Sequence, residues 1–460
     1  MGCIRSLSRI SASWTFVLSA CVYLLLPSQG WSAFATKASL SVGQEYNDNI
    51  FFEKKKEHDF ITNITPTLSL FYAPTGQAVP TLNLNISPQG QIYARHHEQN
   101  NFGDNISLTG GYTYQYSPRL NFHISDTLRR KGQTRTSGET DDRANQPPGA
   151  PTSPPLPGST VSSPSYQNLG NFVSGGDNIS NNFSARGSYL LMPDLRFNGG
   201  YSFAYTNFID SGGSETFHTL SFRGVYNWQQ EHNLHAGYSI SFGKSRDGDD
   251  QVIHNFDFGD DYFTSGLYKL QLTPTLTLSA STGLSVNTGS SGPRIANNST
   301  VTLTKLWETA TLTGGVRKGL TPSFGVSGIS DTTTFYTNFN MRITEKLATH
   351  AGIDWSLFDT RDVSFKTFTG KMGLQYQITP WLSSSLGYNH RRMDSGAGAN
   401  RTELLEEGKI QSNSVFLVLT VNFDIWPNLG LSRSMTSPSL TPIISTPFPT
   451  PAATAPQSQP

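Results

Sequence analysis

The chain has almost no cysteine. Its two, Cys3 and Cys21, both precede Pro27, so the remainder can form neither a disulfide framework nor a thiol centre. Charge is scarce as well. Charged residues make up 14% of the 460, and the formal net charge is +0, which leaves no basic excess to hold nucleic acid. Hydrophobic residues reach only 36%, low for a conventional globular core in a chain this long. After Leu26 no apolar run approaches the length of a transmembrane helix. G-x-S-x-G, HExxH, CxxC and P-loop patterns are absent. Without a nucleophile constellation, the chain is expected not to be an enzyme and to need no cofactor.

Aromatic residues, by contrast, reach 12%, and glycine stands at 42. The stretch 105–128 shows how they are used. Ile106, Leu108, Gly110, Tyr112, Tyr114 and Tyr116 alternate with Asn105, Ser107, Thr109, Gly111, Thr113 and Gln115. After Ser117-Pro118-Arg119 the alternation resumes, with Leu120, Phe122, Ile124 and Leu128 opposite Asn121, His123, Ser125, Thr127 and Arg129. A period of two is that of a β-strand. One face is apolar and the other polar over its whole length. Repeated along the chain, this pattern predicts an all-β, transmembrane, antiparallel up-and-down barrel, apolar toward lipid and polar toward a lumen.

The N-terminus reads as an export signal over residues 1–35. Arg5 and Arg9 precede a short apolar core from Phe16 to Leu26, and Ala33-Phe34-Ala35 fits a small-x-small cleavage site. The mature chain would start at Thr36. Leu18-Ser19-Ala20-Cys21 resembles a lipoprotein box, but the apolar run continues past Cys21, which favours ordinary cleavage.

Strands are expected over 38–46, 60–72 and 82–86. Pro66 and Pro88 remove ladder donors there, which predicts bulges. The segment Glu45-Tyr46-Asn47-Asp48-Asn49-Ile50, followed by Asp59-Phe60-Ile61-Thr62-Asn63-Ile64-Thr65-Pro66-Thr67-Leu68-Ser69-Leu70, resembles the opening of outer-membrane barrels of the "β-barrel porin 2" type. The resemblance covers about the first hundred mature residues, and it implies a porin associated with exopolysaccharide export.

Further strands are read at 179–191, 197–205, 220–228, 234–242, 262–272, 276–286, 300–305, 310–316, 335–343, 347–357, 368–378, 382–388 and 415–423. The count is about eighteen, with sixteen as the alternative. Residues 132–175, rich in Pro, Gly and Ser, read as a long outer loop, and Arg246 to Asp261 as an acidic loop. Short turns alternate with longer loops, as in bacterial barrels with periplasmic turns. Trp228, Trp307, Trp381 and Trp426 fall at the short-turn ends, where an interfacial girdle belongs. The barrel is thus expected over 36–426, with both ends periplasmic. Residues 427–460, rich in Pro, Ser and Thr, read as a disordered periplasmic tail. Expected partners are outer-membrane lipid and lipopolysaccharide and the barrel-assembly machinery, with no nucleic acid. The oligomeric state is left open.

Parity singles out the candidate functional residues. Arg95, Arg129, Arg186, Arg196, Arg223, Lys269, Arg317, Arg342 and Lys371 fall on the polar face, with Asp354 as the clear acidic counterpart. Such a lumen would favour anions, because a low-dielectric wall focuses the field. The opposing reading is that charges merely avoid lipid and pair with carboxylates. His96-His97-Glu98 and the aspartates at 247–261 have ligand chemistry but read as solvated loops, with no metal expected. Asp126 falls on the lipid face without an explanation. Within 132–175, the half from Val161 to Val173 is expected to touch the rim or inner wall and narrow a passive channel for hydrophilic solutes.

Overall fold

The structure, a computed structural model, describes residues 34–72, 81–131, 177–209, 212–229, 232–244, 250–264, 275–289, 292–322, 329–360, 364–395 and 408–426. Residues 1–33, the segment 132–175 with its expected constriction, and the tail 427–460 lie outside them.

Eighteen strands follow in chain order. They are β1 (Phe34–Asn47), β2 (Asp59–Tyr72), β3 (Thr81–Tyr93), β4 (Asn101–Ser117), β5 (Leu120–Lys131) and β6 (Asn178–Met192). Next come β7 (Leu195–Phe208), β8 (Ser214–Gln229), β9 (His232–Lys244), β10 (Asp250–Thr264), β11 (Leu276–Asn287) and β12 (Arg294–Leu306). The last six are β13 (Ala310–Pro322), β14 (Ile329–Arg342), β15 (Leu347–Asp359), β16 (Ser364–Thr379), β17 (Leu382–Ser395) and β18 (Gly408–Trp426). Every strand pairs antiparallel with its sequence neighbours, and β1 pairs with β18. The sheet is therefore a closed barrel without an edge.

Turn chemistry sets the hairpins. The Ser117 hydroxyl accepts the N–H groups of Arg119 and Leu120, Thr344 does the same for Lys346 and Leu347, and Thr379 accepts the N–H of Leu382. These are the local side-chain bonds that favour Ser and Thr at turn starts. The registers of β4–β5, β6–β7, β8–β9 and β16–β17 each shift at the turn itself. Beyond it the pairing runs straight.

Alternation then decides which side chains meet which medium. Outward positions carry Leu40, Val42, Phe60, Leu68, Phe222, Phe256, Leu303, Leu417 and Leu419, all exposed. An apolar exterior around the whole closed sheet suits lipid and not water. Trp228, Trp307 and Trp381 are exposed beside the short turns.

Several expectations need correction. There is no bulge at Pro66, because the β1–β2 and β2–β3 registers continue unchanged past it. Pro66 lies opposite Pro88. Only the β2–β3 pairs from Thr65 to Thr67 are missing, as expected for one rung that lacks both N–H donors. Thr67 and Ser87 bridge the break through their hydroxyls at 2.9 Å. The irregularity near Pro88 lies on the β3–β4 side, after Gln89, where Gly103 adopts φ +99°. Arg246 to Asp261 is not a loop throughout: Asp250 to Thr264 form β10. Beneath its aspartates, Val252, His254, Phe256 and Phe258 keep the period of two. β1 also starts at Phe34, earlier than the expected strand start at Ala38.

Candidate functional site

The inner wall is built mainly from hydroxyls and amides. Cross-strand hydroxyl pairs join Ser41 to Thr420, Ser125 to Ser184, Thr219 to Ser241 and Thr334 to Ser356 at 2.8–2.9 Å. On β2–β4 the amides chain together. Asn63 Oδ1 accepts from Gln89 (3.2 Å) and Gln91 (3.0 Å), and Gln91 Oε1 accepts from Asn105. Such a surface satisfies itself and still offers donors and acceptors to a passing solute.

The predicted basic residues separate into groups. Arg129, Arg186, Arg196, Arg317, Arg342 and Lys371 occupy inward positions of β5, β6, β7, β13, β14 and β16. The Arg317 guanidinium lies 6.0 Å from the centre of the inward Tyr336 ring, whose hydroxyl meets Thr302 at 2.7 Å. Arg223 also points inward, but it is buried and its Nη2 meets Asp257 Oδ2 at 3.0 Å. It is held in the wall and not presented to the lumen. Arg95 needs correction. Strand β3 ends at Tyr93, so Arg95 belongs to the connection beyond it, where its guanidinium meets His58. Lys269 lies outside the described residues. Parity also places Lys37, Lys131 and Arg391 inward, all three just outside the expected strand limits.

Polarity of the inner face does not extend over the whole strand length. Near the loop ends the inward residues include Ile61, Tyr93, Phe217, Ile253, Phe358, Phe365 and Ile410, all buried. Phe358 and Phe365 stack with ring centres 4.7 Å apart. Apolar burial here draws in the β1–β2 connection, residues 48–58. Ile50 packs on Ile61 and Tyr93. Phe52, at φ 53°, is buried with Arg391 5.0 Å above its ring. Asn49 Nδ2 donates to the carbonyls of Glu53 and Gln411, and the Asp48 N–H donates to that of Asn413. This connection therefore folds over the mouth. The sequence signal was the apolar run Ile50-Phe51-Phe52 ahead of the three lysines.

The chain is similar in structure to solved bacterial outer-membrane proteins. OpdL of Pseudomonas aeruginosa aligns at 11% identity and TM-score 0.45, over 85% of this chain and 99% of that one. The outer membrane protein OpdK of the same organism gives 11% and 0.43, over 84% and 99%. OccAB3 of Acinetobacter baumannii gives 10% and 0.41, over 85% and 99%. No family model and no curated relative matches the chain.

A second polar cluster ties the mouth together. His96, read as part of a solvated loop, is instead half-buried between two carboxylates. Its Nδ1 meets Asp59 Oδ2 at 2.8 Å and its Nε2 meets Glu57 Oε2 at 3.0 Å. Asp59 is fully buried and also accepts the N–H groups of Arg95 and His96. The Asp59 bond raises the His96 imidazole above its ordinary value, helped by Glu57 and opposed by burial. Burial opposes ionisation of Asp48, yet Lys56 and the amides of Asn413 outweigh it and lower its pKa. Among the described residues no group of His, Cys, Asp and Glu is arranged to hold a metal ion.

Proposed function

We propose that the chain is an outer-membrane channel that passes hydrophilic solutes down their gradient and favours anions. One observation carries the reading. Among the described residues, Arg129, Arg186, Arg196, Arg317, Arg342 and Lys371, together with Lys37, Lys131, Arg223 and Arg391, outnumber the inward carboxylates, and Asp257 and Asp424 are already engaged by Arg223 and Lys37. An excess of fixed positive charge on a low-dielectric wall concentrates anions. Short turns and both chain ends face the periplasm in this reading. The amide and hydroxyl wall, with the resemblance of residues 45–70 to the "β-barrel porin 2" type, favours saccharide or a secreted polysaccharide as the solute class.

A second reading has its own support. The β1–β2 connection buries Ile50 and Phe52 in the mouth, as a structural or adhesive barrel with a closed lumen would. Planar-bilayer recording decides between them. Discrete conductance steps with a reversal potential of anionic sign are expected under a salt gradient. Silence in repeated insertions would leave the closed barrel, and cation preference would remove the basic-lumen reading.

A further inference from the structure

The outward wall carries a groove of about 870 Å³ that crosses from β12 to β17. Its floor dips at Gly314, where the outward position of β13 has no side chain. Its sides include Ile353, the stacked rings of Phe335 and Trp355 (centres 5.3 Å apart) and Phe368. At its loop end the groove runs into charge. Lys366 of β16 is the cross-strand partner of Asp394 of β17, and Asp394 is the partner of Lys409 of β18. All three point outward, because their chain neighbours Phe365, Met393 and Ile410 are buried on the inner face. Arg392 holds both oxygens of Asp394, at 3.1 and 2.5 Å. One carboxylate therefore stands among three cations. A fourth, Lys54, reaches the same strand end: a Cβ added at Gly408 would lie 3.0 Å from its Cε.

Height in the membrane separates the two halves of this site. At ~3.3 Å per residue and a tilt of ~40°, the ten residues from Leu382 to Arg392 rise ~25 Å above the turn rim. That is about the height of the apolar band of a membrane barrel. The cations thus stand at the membrane surface together with Phe368, the register partner of Arg392, and Trp355, Ile353 and Phe335, fewer residues above their own turns, lie in the acyl layer below.

We propose that this groove is a binding site for a lipid with a phosphomonoester headgroup. Lys366, Arg392 and Lys409 take the phosphate, and the acyl chains lie along Phe368, Trp355 and Ile353. Asp394 orients Arg392 without cancelling the local positive charge, so a dianionic headgroup is matched and a zwitterionic one is not. The inference rests on the barrel being in a membrane and is independent of whether its lumen conducts.

The test uses the purified full chain in a neutral detergent. An acylated glucosamine disaccharide carrying two phosphates, or its dephosphorylated form, is added, and retained lipid is counted by native mass spectrometry. The phosphorylated lipid should be retained about tenfold better, equivalent to ~1.4 kcal/mol. The double variant K366Q/K409Q should lose that preference. K244Q, on the exposed Lys244 of β9 paired with Asp250, should keep it. Brominated acyl chains should quench a fluorescence component that W355F lacks. Equal retention of the two lipids, an unchanged preference in K366Q/K409Q, or no quenching at Trp355 would overturn the site. A silent bilayer recording with the preference intact would remove the channel reading and leave the lipid site standing.

Discussion

Arg223 of β8 reaches Asp257 of β10 across Gly237 of β9. The two side chains meet at 3.0 Å. A Cβ at Gly237 would lie 2.6 Å from Asp257 Oδ1, so glycine is what lets the pair close over the intervening strand. Arg223 is only 8% exposed. Asp257→Asn should leave a buried guanidinium without its counter-charge and cost about 3 kcal/mol. The urea midpoint of the detergent-solubilised barrel reads this, and R223Q/D257N should recover most of the loss. An unchanged midpoint in D257N would show that the pair is incidental. Gly237→Ala should destabilise in the same direction by displacing the carboxylate.

Phe52 and Arg391 make the corresponding contact at the mouth, 5.0 Å from guanidinium to ring centre. Phe52 carries a positive φ of 53°, which a bulky residue adopts at a cost. Phe52→Gly should relax that strain, remove the ring contact of Arg391 and loosen the β1–β2 connection. Single-channel conductance should rise clearly above that of the native chain. Equal conductance would mean the connection does not narrow the path.

His96 should make the stability of the mouth depend on pH. Its folded-state pKa lies above the ordinary 6.5 because of its bond to Asp59. The stabilisation is therefore complete below 6.5 and is lost as pH rises through the raised value. The unfolding midpoint of the native chain minus that of His96→Gln, followed from about pH 5 to pH 9, should fall across that window. A difference that is flat or grows with pH would contradict the assignment.

Selectivity should answer to single inward charges. Arg186 is exposed on the inner face of β6, with the backbone of Gly200 opposite. Arg186→Glu should move the reversal potential toward the cation value and leave the unfolding midpoint within about 0.5 kcal/mol. Arg130→Gln, altering an outward residue that pairs with Asp104 and Asp177, should leave selectivity alone. If both variants behave alike, the lumen charges do not set selectivity.

Alternation and turn chemistry made the barrel legible. Residues 105–128 showed both faces, and Ser117-Pro118, Met192-Pro193 and Thr379-Pro380 marked hairpin tips that the structure retains. Aspartate density hid β10, because Asp257 and Asp260 have partners in Arg223 and His232 that lie on other strands. Arg95 was placed on a strand because parity alone does not say where pairing stops, and β3 stops at Tyr93. Asp126 does face outward. Asn181 of the neighbouring strand donates to it at 2.9 Å, a cross-strand partnership that sequence separation conceals. The packed mouth was least legible, since Ile50 and Phe52 acquire their burial from β2, β3 and β17 at once.

Closure by β1 and β18 also fixes an order in time. Ser41 bonds Thr420, 379 residues further along the chain, and until those late residues exist one margin of Phe34–Asn47 has no partner. Every shorter product of synthesis is an open ribbon with two unpaired margins, prone to pair with another copy. Sealing is the longest-range event in the molecule and the one with the largest loop entropy to overcome. A chain stopped before Gly408 would have all of its other hairpins and still no inside.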